Sequence, residues 1–221
     1  MKNLPRTGDV QKALNDHYAV RLCDAAGRRD TAAVRELLSS NTDPNHADEN
    51  GRLPLLTAVH AGALEAVSDL LDARADANLQ ERGGGIPLQI SAWKGHRELT
   101  KALLAASAKV NAADGRGWTP LCSAAERGQT VVVQLLLDRS ADACRASVLS
   151  GRAEPLTPLQ AVKAGTASAE AKSKVAALLR EAEKNSRLQG CAALGRLASS
   201  WCCGCASRDQ GTRPRTRSGS L

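Results

Sequence analysis

Three prolines, Pro54, Pro87 and Pro120, are evenly spaced with a period of 33, and this period constrains the fold more than any other feature of the chain. Gly62, Gly95 and Gly128 keep the same step, as do Gly51, Gly84 and Gly117. The leucine pairs Leu70/Leu71, Leu103/Leu104 and Leu136/Leu137 share the register, and so do Asn45, Asn78 and Asn111. One step earlier, Leu22, Ala25, Val34, Leu37/Leu38 and Asp43 fall into line. A chain that reuses proline, glycine, leucine and asparagine at one spacing is one supersecondary unit stacked on copies of itself.

The unit is clearest between Asp114 and Asp142. Thr119 reads as a helix N-cap, with Pro120 at the first helical position, where its missing N–H costs nothing. Leu121, Ala124 and Ala125 give that helix one small apolar face, and Gly128 ends it. Val132, Val133, Leu136 and Leu137 are spaced for burial on a second helix. Helices this short bury little alone, so each unit needs a neighbour on either side.

This turn–helix–turn–helix period resembles the ankyrin repeat family over about residues 22–182. The resemblance implies an all-α solenoid of stacked helix–turn–helix units with short β-turn fingers, four of them clear and a fifth degenerate. Several positions depart from the family. Leu53 and Ile86 stand where it has a threonine N-cap, and Leu56, Gln89 and Cys122 where it has histidine. Each lost cap is expected to cost about 1 kcal/mol. Arg74, Ser107 and Ser140 replace the glycine after the second helix, which predicts left-handed backbone at non-glycine residues. Thr157-Pro158-Leu159 restarts the pattern late: one period after Pro120 falls on Ala153, and the proline is Pro158. The fifth unit is therefore expected to be a C-terminal cap with insertions.

The ends differ from the array. In 1–21, Asp9 predicts a helix to about Tyr18 that covers the outer side of the first repeat. The tail, 183–221, has Leu188, Cys191, Leu194, Leu197 and Trp201 at helical spacing, then Trp201-Cys202-Cys203-Gly204-Cys205 and a basic, polar stretch. That composition reads as largely disordered. The net charge of +7 belongs to these ends: residues 22–182 hold 19 basic and 19 acidic side chains. A neutral array gives no reason to expect nucleic-acid binding. No apolar run is long enough to span a bilayer. Seven cysteines behind an N-terminus with no apolar leader core point to a reducing, cytoplasmic setting.

No catalytic constellation stands out, so no enzyme activity and no cofactor are expected. His17, His46, His60 and His96 read as structural or solvent-exposed, and no Ser-His-Asp arrangement can be built at a recognisable motif. Gly83-Gly84-Gly85 lacks the Lys-Ser/Thr of a phosphate loop. The resemblance instead implies a docking side, concave in the family, built from turn tips and the exposed ends of first helices. Here the tips supply Arg52, Arg82, Arg116 and Trp118, and the helices supply His60, Trp93, Lys94, Glu126 and Arg127. Tryptophan beside arginine is the usual make-up of a binding hot spot; the competing reading is that Trp93 and Trp118 pack between repeats. The excess of basic groups favours a protein partner with an acidic or polar surface. The chain then reads as a monomeric adaptor or regulatory subunit.

The tail cysteines leave several readings open. Cys202 and Cys205 have zinc-knuckle spacing, but the tail has no histidine and no second pair. A redox pair would need a βαβ setting. Cys202, Cys203 and Cys205, beside Trp201 and ahead of a basic run, also fit S-acylation and peripheral membrane attachment, a tethered scaffold. The remaining reading gives these cysteines no special role.

Overall fold

The computed structural model describes residues 7–114, 117–145 and 157–194, with side chains from 14 to 186 within those ranges. Among the described residues there are ten helices and no strand: α1 (Thr7–Gly27), α2 (Thr31–Ser39), α3 (Pro54–Ala61), α4 (Leu64–Asp72), α5 (Pro87–Lys94), α6 (Arg97–Ala105), α7 (Pro120–Glu126), α8 (Thr130–Asp138), α9 (Pro158–Ala164) and α10 (Ala169–Leu194). The odd-numbered helices pack one on the next in a first layer, and α2, α4, α6 and α8 form a second. The chain divides into a compact unit, residues 1–186, and a second unit, 187–221, described only as far as Leu194.

The period is written into the core. Leu22, Leu55, Leu88 and Leu121 are buried in the first layer, and Leu37, Leu70, Leu103 and Leu136 in the second. Val34, Val67 and Val133 recur beside them, with Thr100 at the fourth such place. Burial of each leucine contributes roughly 1.5–3 kcal/mol. Thr100 is tolerated because its hydroxyl donates to the His96 carbonyl at 2.8 Å and meets Ser91 Oγ at 3.2 Å.

Between repeats the recurrent asparagines act as staples. Asn45 Oδ1 accepts from the Asp76 N–H at 2.7 Å, Asn78 Oδ1 from Lys109 at 2.8 Å and Asn111 Oδ1 from Asp142 at 2.9 Å. The β-turn fingers also repeat. The Asp48 N–H donates to the Arg52 carbonyl, Glu81 to Gly85 and Asp114 to Trp118, at 2.9, 3.1 and 2.9 Å. Each finger turns through a left-handed glycine, Gly51, Gly84 or Gly117, with φ between 76° and 81°.

Thr119 caps α7 as expected, accepting from the Cys122 N–H at 3.2 Å. Leu53 and Ile86 make no side-chain cap, yet both are buried. A cap is worth about 1 kcal/mol, and burial of a large aliphatic side chain about 1.5–3 kcal/mol. The replacement therefore exchanges a polar contact for an apolar one at little net cost, against the expected penalty. Arg74, Ser107 and Ser140 are left-handed, at φ 67°, 63° and 62°, and Asn41 at the equivalent place of the first repeat has φ 60°.

The helices at both ends are longer than the sequence suggested. The covering helix is not a separate element: α1 runs unbroken from Thr7 to Gly27 and doubles as the first helix of the first repeat. No glycine or proline interrupts residues 9–26, and Ala19, Leu22, Cys23 and Ala26 line its buried face. At the other end, α10 passes through the boundary placed at 182 and continues to Leu194, in keeping with its Ala-, Lys- and Glu-rich sequence. The fifth repeat starts on a complete capping box: Gln160 N–H donates to Thr157 Oγ1 at 3.3 Å while the Thr157 N–H donates to Gln160 Oε1 at 2.8 Å. It presses closely on the fourth, since a Cβ added at Gly165 would lie 1.9 Å from the Glu126 carbonyl oxygen.

Candidate partner-binding face

The first helices of successive repeats end in register, so His60, Trp93 and Glu126 follow one another along one side of the first layer, with Lys94 and Arg127 beside them. Trp93 is 42% exposed, unusual for a tryptophan that could instead have filled an inter-repeat gap. The Arg127 guanidinium lies over its ring, 4.4 Å from the centroid, within cation–π range. Arg127 is held there from the far side as well, because its Nη1 donates to Thr166 Oγ1 at 3.2 Å. Lys94 Nζ donates to the His60 carbonyl at 2.7 Å. His60 is exposed and Glu126 half-buried. The His60 pKa is lowered, first by burial of part of the ring and then by Lys94, with Glu81 opposing.

The finger residues behave differently. Arg52 is tied down, donating through Nε to Asp48 at 2.6 Å and through Nη2 to Asp24 at 3.2 Å. Asp48 is the hub of that finger: its Oδ1 also accepts from the N–H groups of Asn50 and Arg52 at 3.0 and 2.7 Å. Burial alone would raise the Asp48 pKa, but these hydrogen bonds from Arg52 and Asn50 outweigh it and the pKa is lowered. Beneath the finger, Cys23 is buried and its thiol pKa is pushed up to about 12, mainly by burial and next by Asp48. Arg82 is exposed and arches over Gly51 of the preceding finger. Trp118 is half-buried, and its N–H donates to Asp114 Oδ1 at 2.8 Å. Arg116 lies outside the described residues, as do Cys202, Cys203 and Cys205.

His60, Trp93, Lys94 and Arg127 thus lie together at the ends of the first helices, whereas Arg52, Arg82 and Trp118 belong to the fingers. The sequence pointed to neither Arg29 nor His96 as a docking residue. Arg29 Nη2 donates to the Gly62 carbonyl, and the His96 ring stands against Gly62. The signal was legible, since Arg29 occupies the place of Gly62, Gly95 and Gly128 one period earlier and adopts the same left-handed backbone, at φ 61°.

A family model for ankyrin repeats matches three times, over residues 17–114, 62–147 and 88–187. The chain belongs to the ankyrin repeat family. Ankyrin repeats generally mediate protein–protein interactions, and domains built from them are typically non-catalytic. No curated protein gives a significant match. Among the described residues of this ankyrin array, no helix is long and apolar enough to cross a membrane. No group of three or more His, Cys, Asp or Glu side chains among them could hold a metal ion.

Proposed function

We propose that this ankyrin array is a non-catalytic adaptor or regulatory subunit that holds an acidic or polar protein surface along the first-helix ends, with Trp93 and Arg127 at the centre. The observation that carries the reading is the exposed Trp93 ring with Arg127 stacked over it. Such a ring is pre-ordered, so a partner side chain gains its free surface at little entropic cost. Truncating a central hot-spot tryptophan typically costs about 2 kcal/mol or more of binding, while a side chain so exposed contributes modestly to folding. The test is capture of partners from cell extract by the wild-type chain and by Trp93→Ala. A partner lost by the variant, with the melting temperature kept within a few degrees, supports the reading. A partner held equally by both sinks it.

A membrane-tethered scaffold is the second reading. It is favoured by the sequence alone, through the cluster Cys202, Cys203 and Cys205 beside Trp201 and ahead of a basic run. Hydroxylamine-sensitive acyl labelling that disappears when all three become serine would support it, and an unlabelled wild-type chain would end it.

A further inference from the structure

Four basic side chains from three consecutive repeats converge on the α3–α4 turn, His60 to Gly62. Arg29 arrives from the α1–α2 turn and donates to the Gly62 carbonyl. Lys94 arrives from the end of α5 and donates to the His60 carbonyl at 2.7 Å. His96 leans in from the start of α6: a Cβ built on Gly62 would lie 3.1 Å from its Nε2 and 3.5 Å from Arg29 Nη2. His60 is the turn's own exposed imidazole. None of the ion pairs among the described residues includes any of the four. Of the carboxylates at this place, Glu81 acts on His60 and Glu65 sits in the first turn of α4.

A purely structural account has Arg29 and Lys94 neutralising the carbonyl end of α3. That end carries about half an elementary charge, and two full positive charges overshoot it. Each also keeps spare donors, because a guanidinium has five N–H groups and an ammonium three. The two cations also bear on the histidines, after burial. The pKa of His96 is lowered by burial, then by Lys94 and Arg29, and that of His60 by burial, then by Lys94. Immediately after the turn, α4 starts at Leu64 behind Ala63, which offers its first-turn N–H groups no side-chain cap.

We propose that Arg29, His60, Lys94 and His96 form a phosphoryl-binding site at the α3–α4 turn, and that it takes a phosphorylated side chain of the protein partner; the proposal rests on the docking reading given above. A carboxylate brings one charge and two oxygens. A phosphomonoester brings roughly −1.5 to −2 charges at neutral pH and three acceptor oxygens, which matches two fixed cations with several free donors. The site adjoins Trp93 through Lys94, so a phosphoserine or phosphothreonine here and an apolar contact on Trp93 belong to one docked segment. Binding of a dianion favours the protonated imidazoles, so phosphate raises the titration midpoints of His60 and His96 together.

The test follows the two ring C–H signals by NMR on the full chain. With inorganic phosphate as probe, both midpoints rise, and acetate at equal ionic strength moves them far less. Arg29→Gln with Lys94→Gln weakens the phosphate response at least tenfold, whereas the charge-preserving pair Arg29→Lys with Lys94→Arg keeps most of it. A phosphoserine peptide competes with phosphate, and phosphatidylcholine vesicles carrying phosphatidylinositol 4-phosphate do not. An equal response to acetate, a response that survives the double glutamine variant, or saturation by the vesicles without the peptide overturns the proposal. The phosphate measurement needs no partner, so its failure removes this site and leaves the docking reading standing, whereas retention of a partner by Trp93→Ala removes the docking reading and, with it, the assignment of the phosphoryl group to that partner.

Discussion

Replacing Asp48 by asparagine keeps the shape of the first finger and removes its charge. The Asp48 side chain is fully buried, and its oxygens accept from two backbone N–H groups and from Arg52 Nε at 2.6 Å. The asparagine carbonyl can still serve the two backbone donors. Its amide, turned toward Arg52, sets donor against donor. The loss is then one charge-assisted hydrogen bond, about 1.5–3 kcal/mol. Arg52 is 38% exposed on its side chain, so water screens that end and the lower part of the range, about 1.5–2 kcal/mol, is expected. For an array of this length that is a fall of roughly 3–8 °C in melting temperature. The effect has a definite pH signature. The folded pKa of Asp48 is lowered, so its stabilisation is complete above the unfolded-chain value, about 4, and is lost as pH falls through the lower folded value. Urea unfolding of wild type and Asp48→Asn at neutral pH and down a series below pH 4 measures both. The two stabilities should converge in acid, where both side chains are neutral. A neutral-pH deficit under about 0.5 kcal/mol, the size expected of a substitution with no specific role, would refute the argument that the ionised carboxylate holds this finger. So would a deficit that stays unchanged in acid.

Three further expectations follow from individual contacts. Gly165→Ala should loosen the fifth repeat by about 1–3 kcal/mol, because its Cβ would stand 1.9 Å from the Glu126 carbonyl oxygen; limited proteolysis should then cut between α9 and α10 faster than in wild type, and unchanged cleavage would contradict the close approach. Gln89 Nε2 donates to Asp114 Oδ2 at 2.7 Å across repeats, so Gln89→Ala should cost about 1 kcal/mol in thermal unfolding. Cys23, buried and with a pKa of about 12, should resist iodoacetamide at pH 8 in the native protein and react once urea unfolds it; rapid native labelling would show that the finger opens.

Much of this molecule is legible in its sequence because its core is periodic. Pro54, Pro87 and Pro120 mark helix starts, and Leu70, Leu103 and Leu136 mark buried places, since the backbone requirement at each is local. What escaped depends on where side chains turn. Arg52 reads as a tip residue free for a partner, but Asp48 and Asp24 both claim it, the second from the preceding repeat. Gln89 reads only as a missing histidine, yet it reaches the next finger and supplies a substitute link. Leu53 and Ile86 read as lost caps because a cap is a sequence feature and the cavity that rewards an aliphatic replacement is not. Trp93 and Trp118 are equivalent candidates by position, and burial separates them. The continuity of α1 was available, since nothing in residues 9–26 breaks a helix.

The asparagine staples define the quantum in which this chain can be edited. Each spans the same separation, 31 in the numbering, and each lies a whole period from the next. Removal of a single residue between two staples misaligns everything that follows. Excision of residues 79–111 removes a complete period: Asn78, whose acceptor now bonds Lys109, would meet Asp142 in the position that Lys109 had held. The shortened chain would keep a stack with its seams closed and would lose Trp93, Lys94 and His96 in one step. Cohesion is distributed along the array, whereas the proposed recognition takes Trp93, Lys94 and His96 from one removable segment. Loss or gain of that segment over evolution would then erase or restore a partner without asking the scaffold to refold differently.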